Sequence, residues 1–378
     1  MDSSTSRRDS RICMVSLRGL NHQAAWCSNY EFEDVICAVD DVDLLTLGRG
    51  WANSFREWTV KRLIWRPGLH QLAHRLNPGV NSVALEKDYE AFVFICMNPS
   101  DLLYLNGVAG WKERCKVKIC FIAEFYAGWL EEYRFHLRLL EHFDHVFFCF
   151  SGTVQTVEDF VGRPCHHVPL AADVLRFTPY PDPPLRSIDV YSMGRRADAM
   201  HQILLGMAQR EGLFYIYDTI PGLLIQPRDH RAHRDLVANV AKRSRYFVTF
   251  PAKVDCADET RGQSEVGARF FEGAAAGSVM IGRSPSSPAF CELFDWPDAV
   301  VETQPDGSDV AKVLSKFDAE PERLQEISRR NAHQALIRHD WAHRWKQILD
   351  IVRLQPLPAL EMRERHLTQL AKLAKQQD

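Results

Sequence analysis

Residues 267–282, Gly-Ala-Arg-Phe-Phe-Glu-Gly-Ala-Ala-Ala-Gly-Ser-Val-Met-Ile-Gly, constrain the fold more than any other stretch of the chain. Phe270, Phe271 and Ala274 recur on a 3.6-residue period, which predicts an amphipathic helix. Gly277 stands where a helix takes a closing glycine, and Val279-Met280-Ile281 suits a short buried strand. Helix, glycine stop and apolar strand in succession are the repeating unit of a parallel sheet. Arg269 and Glu272 lie three apart and so share one side of the helix. A guanidinium suits phosphate and a carboxylate suits ribose hydroxyls, so the pair points to a nucleotide. Two plainer readings stand beside it: small residues that serve tight helix–sheet packing, and a Glu272 that is merely solvated.

The same alternation runs along the whole chain. Apolar runs at 12–17, 42–47, 91–97, 118–123 and 145–150 read as strands separated by helical patterns, and His166 to Leu170 closes this half. Residues 177–187 hold four prolines and read as a linker. Beyond it, strands are expected at 188–193, 213–217, 246–250 and 299–302, with helices at 199–209 and 236–242. The end, from Pro321, reads as charged helices interrupted by Pro356 and Pro358. Strands alternating with helices imply largely parallel sheets covered on both faces. The division expected is 1–180, 181–350 and a helical segment 351–378 that crosses back onto the first domain.

Charge and composition narrow the partners. With 46 basic and 49 acidic residues the net charge is −3, which gives no case for nucleic acid. No apolar run reaches the ~18 residues of a membrane span. The first eleven residues are polar, with Arg7, Arg8 and Arg11 and no apolar stretch before Ile12, which is not the pattern of a signal peptide. Ten cysteines show no Cys-x-x-Cys pair, and several fall in strand-like runs where a thiol behaves as a small hydrophobe. A reducing, cytoplasmic setting is expected.

Three features of the second half carry chemistry. The run 190–196 puts Gly194, Arg195 and Arg196 at the C-terminal end of a strand, where open α/β sheets bind ligands. A loop at 251–264 follows another strand and carries Lys253, Arg261 and Gly262. It leads through Glu265 to the helix of 267–282, whose first amides, near Val266, Gly267 and Ala268, suit a phosphate. Gly267 would permit close backbone approach. Alone, Arg195 and Arg196 would more often be surface charges than ligands; their order on successive strand ends makes the case.

On these residues the chain resembles the donor-nucleotide domain of the GT-B glycosyltransferases, in particular the CgeB-like and GT-4-type groups, over about 186–302. The resemblance implies an α/β GT-B fold, two Rossmann-like parallel-sheet domains facing each other across a cleft. It implies that Glu272, followed by Gly273-Ala274-Ala275-Ala276-Gly277, binds the ribose of a nucleotide-diphospho-sugar. Gly194, Arg195 and Arg196 would then contact the diphosphate. The pattern departs at Ser264, where the family often has a second glutamate; Glu265 is one step off. A lysine usual after the basic turn is replaced by the run Ala197-Asp198-Ala199-Met200-His201, so Arg196, Lys253 or Arg269 would supply that charge.

The acceptor side falls to the first half. Gly19, Asn21 and His22 follow its first strand. Gly19 would let the donor approach, and His22 would serve as base in an inverting enzyme; a loop histidine without a role fits equally. Glu124, at the end of the 118–123 strand, is a candidate contact for the transferred sugar or a helix N-cap. Trp51, Phe55, Trp58 and Trp65 form one helical stripe, read first as a core face. Left exposed, it would fit an apolar or carbohydrate acceptor or a lipid surface, which leaves peripheral membrane contact open. His70 and His74 have metal spacing but no third ligand nearby. His230 and His233, in the charged run 228–235, read as a solvated loop or helix start.

The expectation is a hexosyltransferase, retaining by its family look, using a nucleotide-sugar donor without metal or other cofactor. Its acceptor would be a carbohydrate, a lipid-linked group or a small molecule. A nucleotide-sugar epimerase of the same fold and a binding protein without turnover are the alternatives.

Overall fold

The structure, a computed structural model, describes residues 10–51, 53–66, 68–219 and 224–376. Arg7 and Arg8 lie outside the described residues. The chain forms two compact units, each built on its own parallel sheet. The first comprises 1–22, 36–169 and 348–356, and the second 23–35, 170–347 and 357–378.

In the first unit six strands lie in the order Val42–Gly48, Ile12–Gly19, Tyr89–Cys96, Cys115–Ile122, His145–Phe148 and Cys165–His167, every neighbouring pair parallel. The runs are near-continuously apolar because helices cover both faces of such a sheet. All five strands expected from the sequence form here, with ends moved by a few residues. The strand expected at 118–123 starts at Cys115, since Val117 already pairs with Ala91. The ten cysteines are all free thiols.

In the second unit five parallel strands lie in the order Tyr215–Tyr217, Ile188–Ser192, Ser244–Thr249, Val279–Gly282 and Val301–Glu302. The strand expected at 213–217 shortens to three residues, and Phe214 before it is exposed while its carbonyl accepts from the Asp189 and Val190 amides. The helix expected at 236–242 begins earlier, at His230, where Asp229 caps it by accepting from the Ala232 amide at 2.7 Å. The expected helix within 267–282 spans Ala268–Ala275. Gly277 is left-handed at φ 62°, the Gly277 amide bonds the Ala274 carbonyl, and the Ser278 amide bonds the Gly273 carbonyl. That is the Schellman closure its glycine foreshadowed. On its inner face Gly273 meets Phe247 and Met280 so closely that a Cβ would stand 3.0 Å from both. Tight helix–sheet packing is therefore one true reading of the small residues.

The proline-rich stretch 177–187 belongs to the second unit, where Arg186 fastens it. Its buried guanidinium donates to the carbonyls of Ser244 at 2.6 Å, Ala276 at 2.9 Å and Gly277 at 2.8 Å. A cation at the C-terminal end of the helix Ala268–Ala275 is favoured by the helix dipole. The segment 348–356 groups with the first unit, while the last helix, Pro358–Gln376, packs on Pro321–Arg338 in the second. Among the described residues no helix is long and apolar enough to cross a membrane.

The aromatic stripe corrects the sequence reading. The helix Asn53–Leu63 buries Asn53 and Val60, and Ile64 just beyond it, so Trp51, Phe55, Trp58 and Trp65 are turned outward, between 47% and 84% exposed. Asn53 donates to the Gly79 carbonyl at 3.0 Å, which ties the polar side of the helix inward. The stripe is not a core face.

Candidate functional site

The second sheet reverses its winding between Ile188–Ser192 and Ser244–Thr249. The chain first adds Tyr215–Tyr217 on one side, then returns to add Ser244–Thr249 on the other. Ligands bind outside the carboxyl ends of the strands at such a switch point. The two loops leaving those strands are the ones that carry the cations read from the sequence, 193–197 and 250–267.

These loops meet. Arg195 Nη1 lies 2.9 and 3.0 Å from the two carboxylate oxygens of Asp255 and 3.0 Å from Cys256 Sγ. Gly194 adopts φ 81°, and its amide donates to Asp218 Oδ1 at 2.9 Å. A Cβ on Gly194 would stand 3.8 Å from Nε and Nη2 of Arg269. The structure thus brings Gly194, Arg195, Arg269 and Glu272 to one edge. Arg196 turns aside: it donates to the Asp218 carbonyl and lies over the Tyr217 ring. Lys253, left-handed at φ 57°, is tied to Glu259.

Gly267 caps the helix Ala268–Ala275 with φ −81° and ψ 165° and no side-chain cap among the described residues. A Cβ there would make ordinary 3.7 Å contact with Ala252. Within the fold, then, nothing demands glycine at this position. Val266 and Glu265 are buried, the Glu265 carbonyl accepts from the Ala252 amide, and its carboxylate accepts from Gln263 at 2.7 Å. Ser264, in the place of the expected second glutamate, accepts from the Ser286 amide at 3.2 Å.

Glu272 is 0% exposed, which removes the solvated reading. One oxygen accepts from Arg234 Nη1 and the other from Arg269 Nη1. Arg234 in turn holds Glu31 with two bonds of 3.0 Å, and Glu31 also accepts from the Asp173 amide and the Trp341 indole. Four alternating charges therefore run Glu31, Arg234, Glu272, Arg269, the last with its side chain 28% exposed. Burial pushes the Glu272 carboxyl up, yet Arg269 and Arg234 outweigh it and hold it below the ordinary range. Burial pushes Arg234 down, and Glu31 and Glu272 more than restore it. His233 on the same helix as Arg234 is pushed down to about 4 by burial and by both arginines, so it stays neutral. It is half-buried, and His230, which opens the helix as the helix-start reading expected, pairs with Asp34 at 2.9 Å.

Polar atoms are left over at this edge. Arg196 Nη1, Asp218 Oδ2 and Thr249 Oγ1 are buried without a hydrogen-bond partner among the described residues. Native folds rarely leave such atoms unmet, and where they do a function is a common reason.

Sequence reading missed Arg234, Glu31 and Asp218. Arg234 had a signal: Val237, Ala238 and Ala241, also buried, follow it at helical spacing, so it sits on the inner face of a charged run. Glu31 comes from residues 23–35, remote in sequence, and carried none.

In the first unit, Gly19, Asn21 and His22 follow the strand Ile12–Gly19, and Glu124 follows Cys115–Ile122, with Tyr89–Cys96 between them. All leave the same edge of the sheet. A Cβ on Gly19 would stand 2.4 Å from the Leu47 carbonyl, so the neighbouring strand requires this glycine. The Asn21 amide bonds the Leu17 carbonyl at 3.0 Å, and His22 is exposed. The Glu124 amide bonds the Met97 carbonyl at 2.8 Å; the N-cap of the next helical turn is Tyr126, not Glu124. His74 spends Nε2 on the Phe135 carbonyl at 2.7 Å, and His70 stacks on the Phe135 ring.

Residues 214–350 match a family described as glycosyl transferase-like. No curated protein matches the chain. Among solved structures it is similar to HepE of Anabaena in complex with UDP and glucose, at 11% identity and a TM-score of 0.50, over 90% of this chain and 99% of that one. It is similar to an alpha-glucosyltransferase in complex with UDP and a mismatched 13-mer DNA, at 8% identity and a TM-score of 0.52, over 91% and 99%. An alpha,alpha-trehalose-phosphate synthase (UDP-forming) from Burkholderia vietnamiensis aligns at 12% identity and a TM-score of 0.52, over 94% and 99%. At these identities the likeness is one of fold, the two parallel-sheet bodies of the GT-B architecture. The chain thus has the GT-B fold, and residues 214–350 within it carry the glycosyl transferase-like family pattern.

Proposed function

We propose that the chain moves a hexosyl unit from a uridine-diphospho-sugar to a hydroxyl acceptor, with retention and without a metal ion. The observation that carries the donor assignment is the switch-point edge of the second sheet. There Gly194, Arg195 and Arg269 converge with a helix start that has no side-chain cap, beside buried polar atoms that lack partners, both among the described residues. Uridine is chosen because the similar structures hold UDP.

When the bond from the sugar to the β-phosphate breaks, charge builds on the departing diphosphate. Fixed cations and amides aimed at that charge lower the barrier most. Arg269, Arg195 and the amides of Gly267 and Ala268 take this role, which is the reason for reading the reaction as metal-independent. The diphosphate draws Arg269 out of its pair with Glu272, and the released carboxylate oxygen then accepts from a ribose hydroxyl. Arg234 keeps Glu272 ionised and oriented throughout. Arg196 and Lys253 stand behind this edge through Asp218 and Glu259, and Glu265 and Val266 anchor the loop that leads to the helix. On the acceptor side, Glu124 contacts the transferred sugar, and Asn21 and His22 face the incoming hydroxyl.

The epimerase and the non-catalytic binder draw no support from the comparisons. A donor-hydrolysis assay with UDP-sugars, run with and without a chelator, tests the reading. Free sugar of unchanged identity and anomeric form, released equally under both conditions, supports it. An epimerised sugar nucleotide, or activity that vanishes with the chelator, would contradict it.

A further inference from the structure

We propose that residues 49–75 of the first unit form a docking face for an anionic lipid bilayer. Trp51 is 84% exposed, Phe55 69%, Trp58 52% and Trp65 47%; Phe55 and Trp58 share one side of the helix Asn53–Leu63, and Trp51 and Trp65 flank its two ends at spacings of four and seven. The inward side of the same helix is set by Asn53, Val60 and then Ile64, about 200° around the axis from the stripe. The helix is thus anchored by its other face, and among the described residues the aromatic one packs on no other element beyond the edge contacts of Trp65 with Phe135 and His136. Exposed apolar groups gathered this way mark an interaction surface.

Charge identifies the occupant. Residues 49–75 contain Arg49, Arg56, Lys61, Arg62, Arg66 and Arg75, all exposed, and a single acid, Glu57. Glu57 is already taken up by Lys61 at 2.6 Å and by the Tyr104 hydroxyl at 3.0 Å. A chain of net charge −3 therefore carries a strongly cationic face here. Arg62 lies 4.2 Å from the Trp58 ring centre and Arg56 5.7 Å from that of Trp51, so cations and indoles share one surface. Indole rings settle at headgroup depth while neighbouring arginines meet lipid phosphates. A basic helix with an aromatic face lies in the plane of a bilayer rather than across it. A carbohydrate platform would need carboxylates or amides beside the rings to meet hydroxyls, and here the polar neighbours are cations.

The test uses the full-length protein and vesicles of phosphatidylcholine with or without phosphatidylglycerol. Co-sedimentation with the anionic vesicles alone, weakened by salt and accompanied by a blue shift of tryptophan emission, is expected. The double variants Phe55→Ser/Trp58→Ser and Arg56→Glu/Arg62→Glu should each reduce vesicle affinity by about tenfold or more. Both alter exposed side chains, so their thermal melts should match the wild type. Equal binding to both vesicle types, unaltered binding by the variants, or a soluble oligosaccharide or protein that displaces the vesicles would overturn the proposal. Donor hydrolysis in solution reads the second unit and stays unchanged in these variants, so this outcome and that of the donor reading are separable.

Discussion

Arg234 and Glu272 form an ion pair closed to solvent, with side chains 3% and 1% exposed, joining the helix His230–Lys242 to the helix Ala268–Ala275. Each partner has a second one: Glu31 for the arginine and Arg269 for the carboxylate. Buried charges persist in a fold only when paired and hydrogen-bonded, and this chain of four meets that condition. It also leaves only Arg269 open to the strand-end edge where Gly194 stands.

Replacing Arg234 by Met should strip both Glu31 and Glu272 of their shared cation. Breaking a buried pair from one side costs about 3–5 kcal/mol. Urea unfolding should show that loss as a lower midpoint; a midpoint within error of the wild type would mean that the carboxylates find other partners.

Gly194→Ala separates backbone strain from crowding. The nearest atoms to the new methyl would be those of Arg269 at 3.8 Å, so there is room, but φ is 81°. A left-handed L-residue costs about 1–2 kcal/mol. Thermal unfolding should register this loss, and donor affinity should fall as the loop shifts from Arg269. Unchanged stability would show that the turn is not held left-handed in solution.

Buried histidines should weaken the fold as pH falls below their ordinary range. Burial pushes His136 from 6.5 to about 4, reinforced by His74 and Lys61. Burial and then Arg344 hold His339 well below its ordinary value; its Nε2 faces the Leu293 carbonyl and its Nδ1 the Arg344 guanidinium. Between pH 6.5 and about 4 the unfolded chain binds protons that the folded chain refuses, so stability falls as pH falls through that window. His136 alone accounts for on the order of 3 kcal/mol. Glu272, a depressed carboxyl, has the same sign of dependence but a lower window: its contribution is lost only as pH falls through and below the ordinary carboxylate range. Burial pushes the Asp101 carboxyl up to about 7, which acts in the opposite sense over this window, so the test is a difference: the gap in urea midpoint between wild type and His136→Phe should change with pH through it, and a gap independent of pH would contradict the assignment.

Periodicity made the two sheets legible, because buried parallel strands are short apolar runs and the helices between them repeat at 3.6 residues. The closure at Gly277 was legible for the same local reason. The charge chain was not. Its members come from residues 31, 234, 269 and 272, and only the last two are near in sequence. Glu272 appeared in sequence as a group open to a ligand; its burial depends on Arg234, whose place within a polar run hid it. The tryptophan stripe misled because spacing shows which residues share a face but not which face the rest of the fold covers. Gly19 illustrates a further limit: its need is the Leu47 carbonyl on a neighbouring strand, which no local pattern shows.

Donor binding at the second unit is best tested by titration calorimetry of UDP into the wild type and Arg269→Ala. Arg269 is partly exposed and its loss leaves Glu272 paired with Arg234, so the variant should be less stable yet folded, which a thermal melt checks, while losing a charge-assisted contact to the diphosphate. The account predicts a saturable heat for the wild type and an affinity about tenfold or more lower in the variant. No binding to the wild type, or equal affinity in the two, would contradict it.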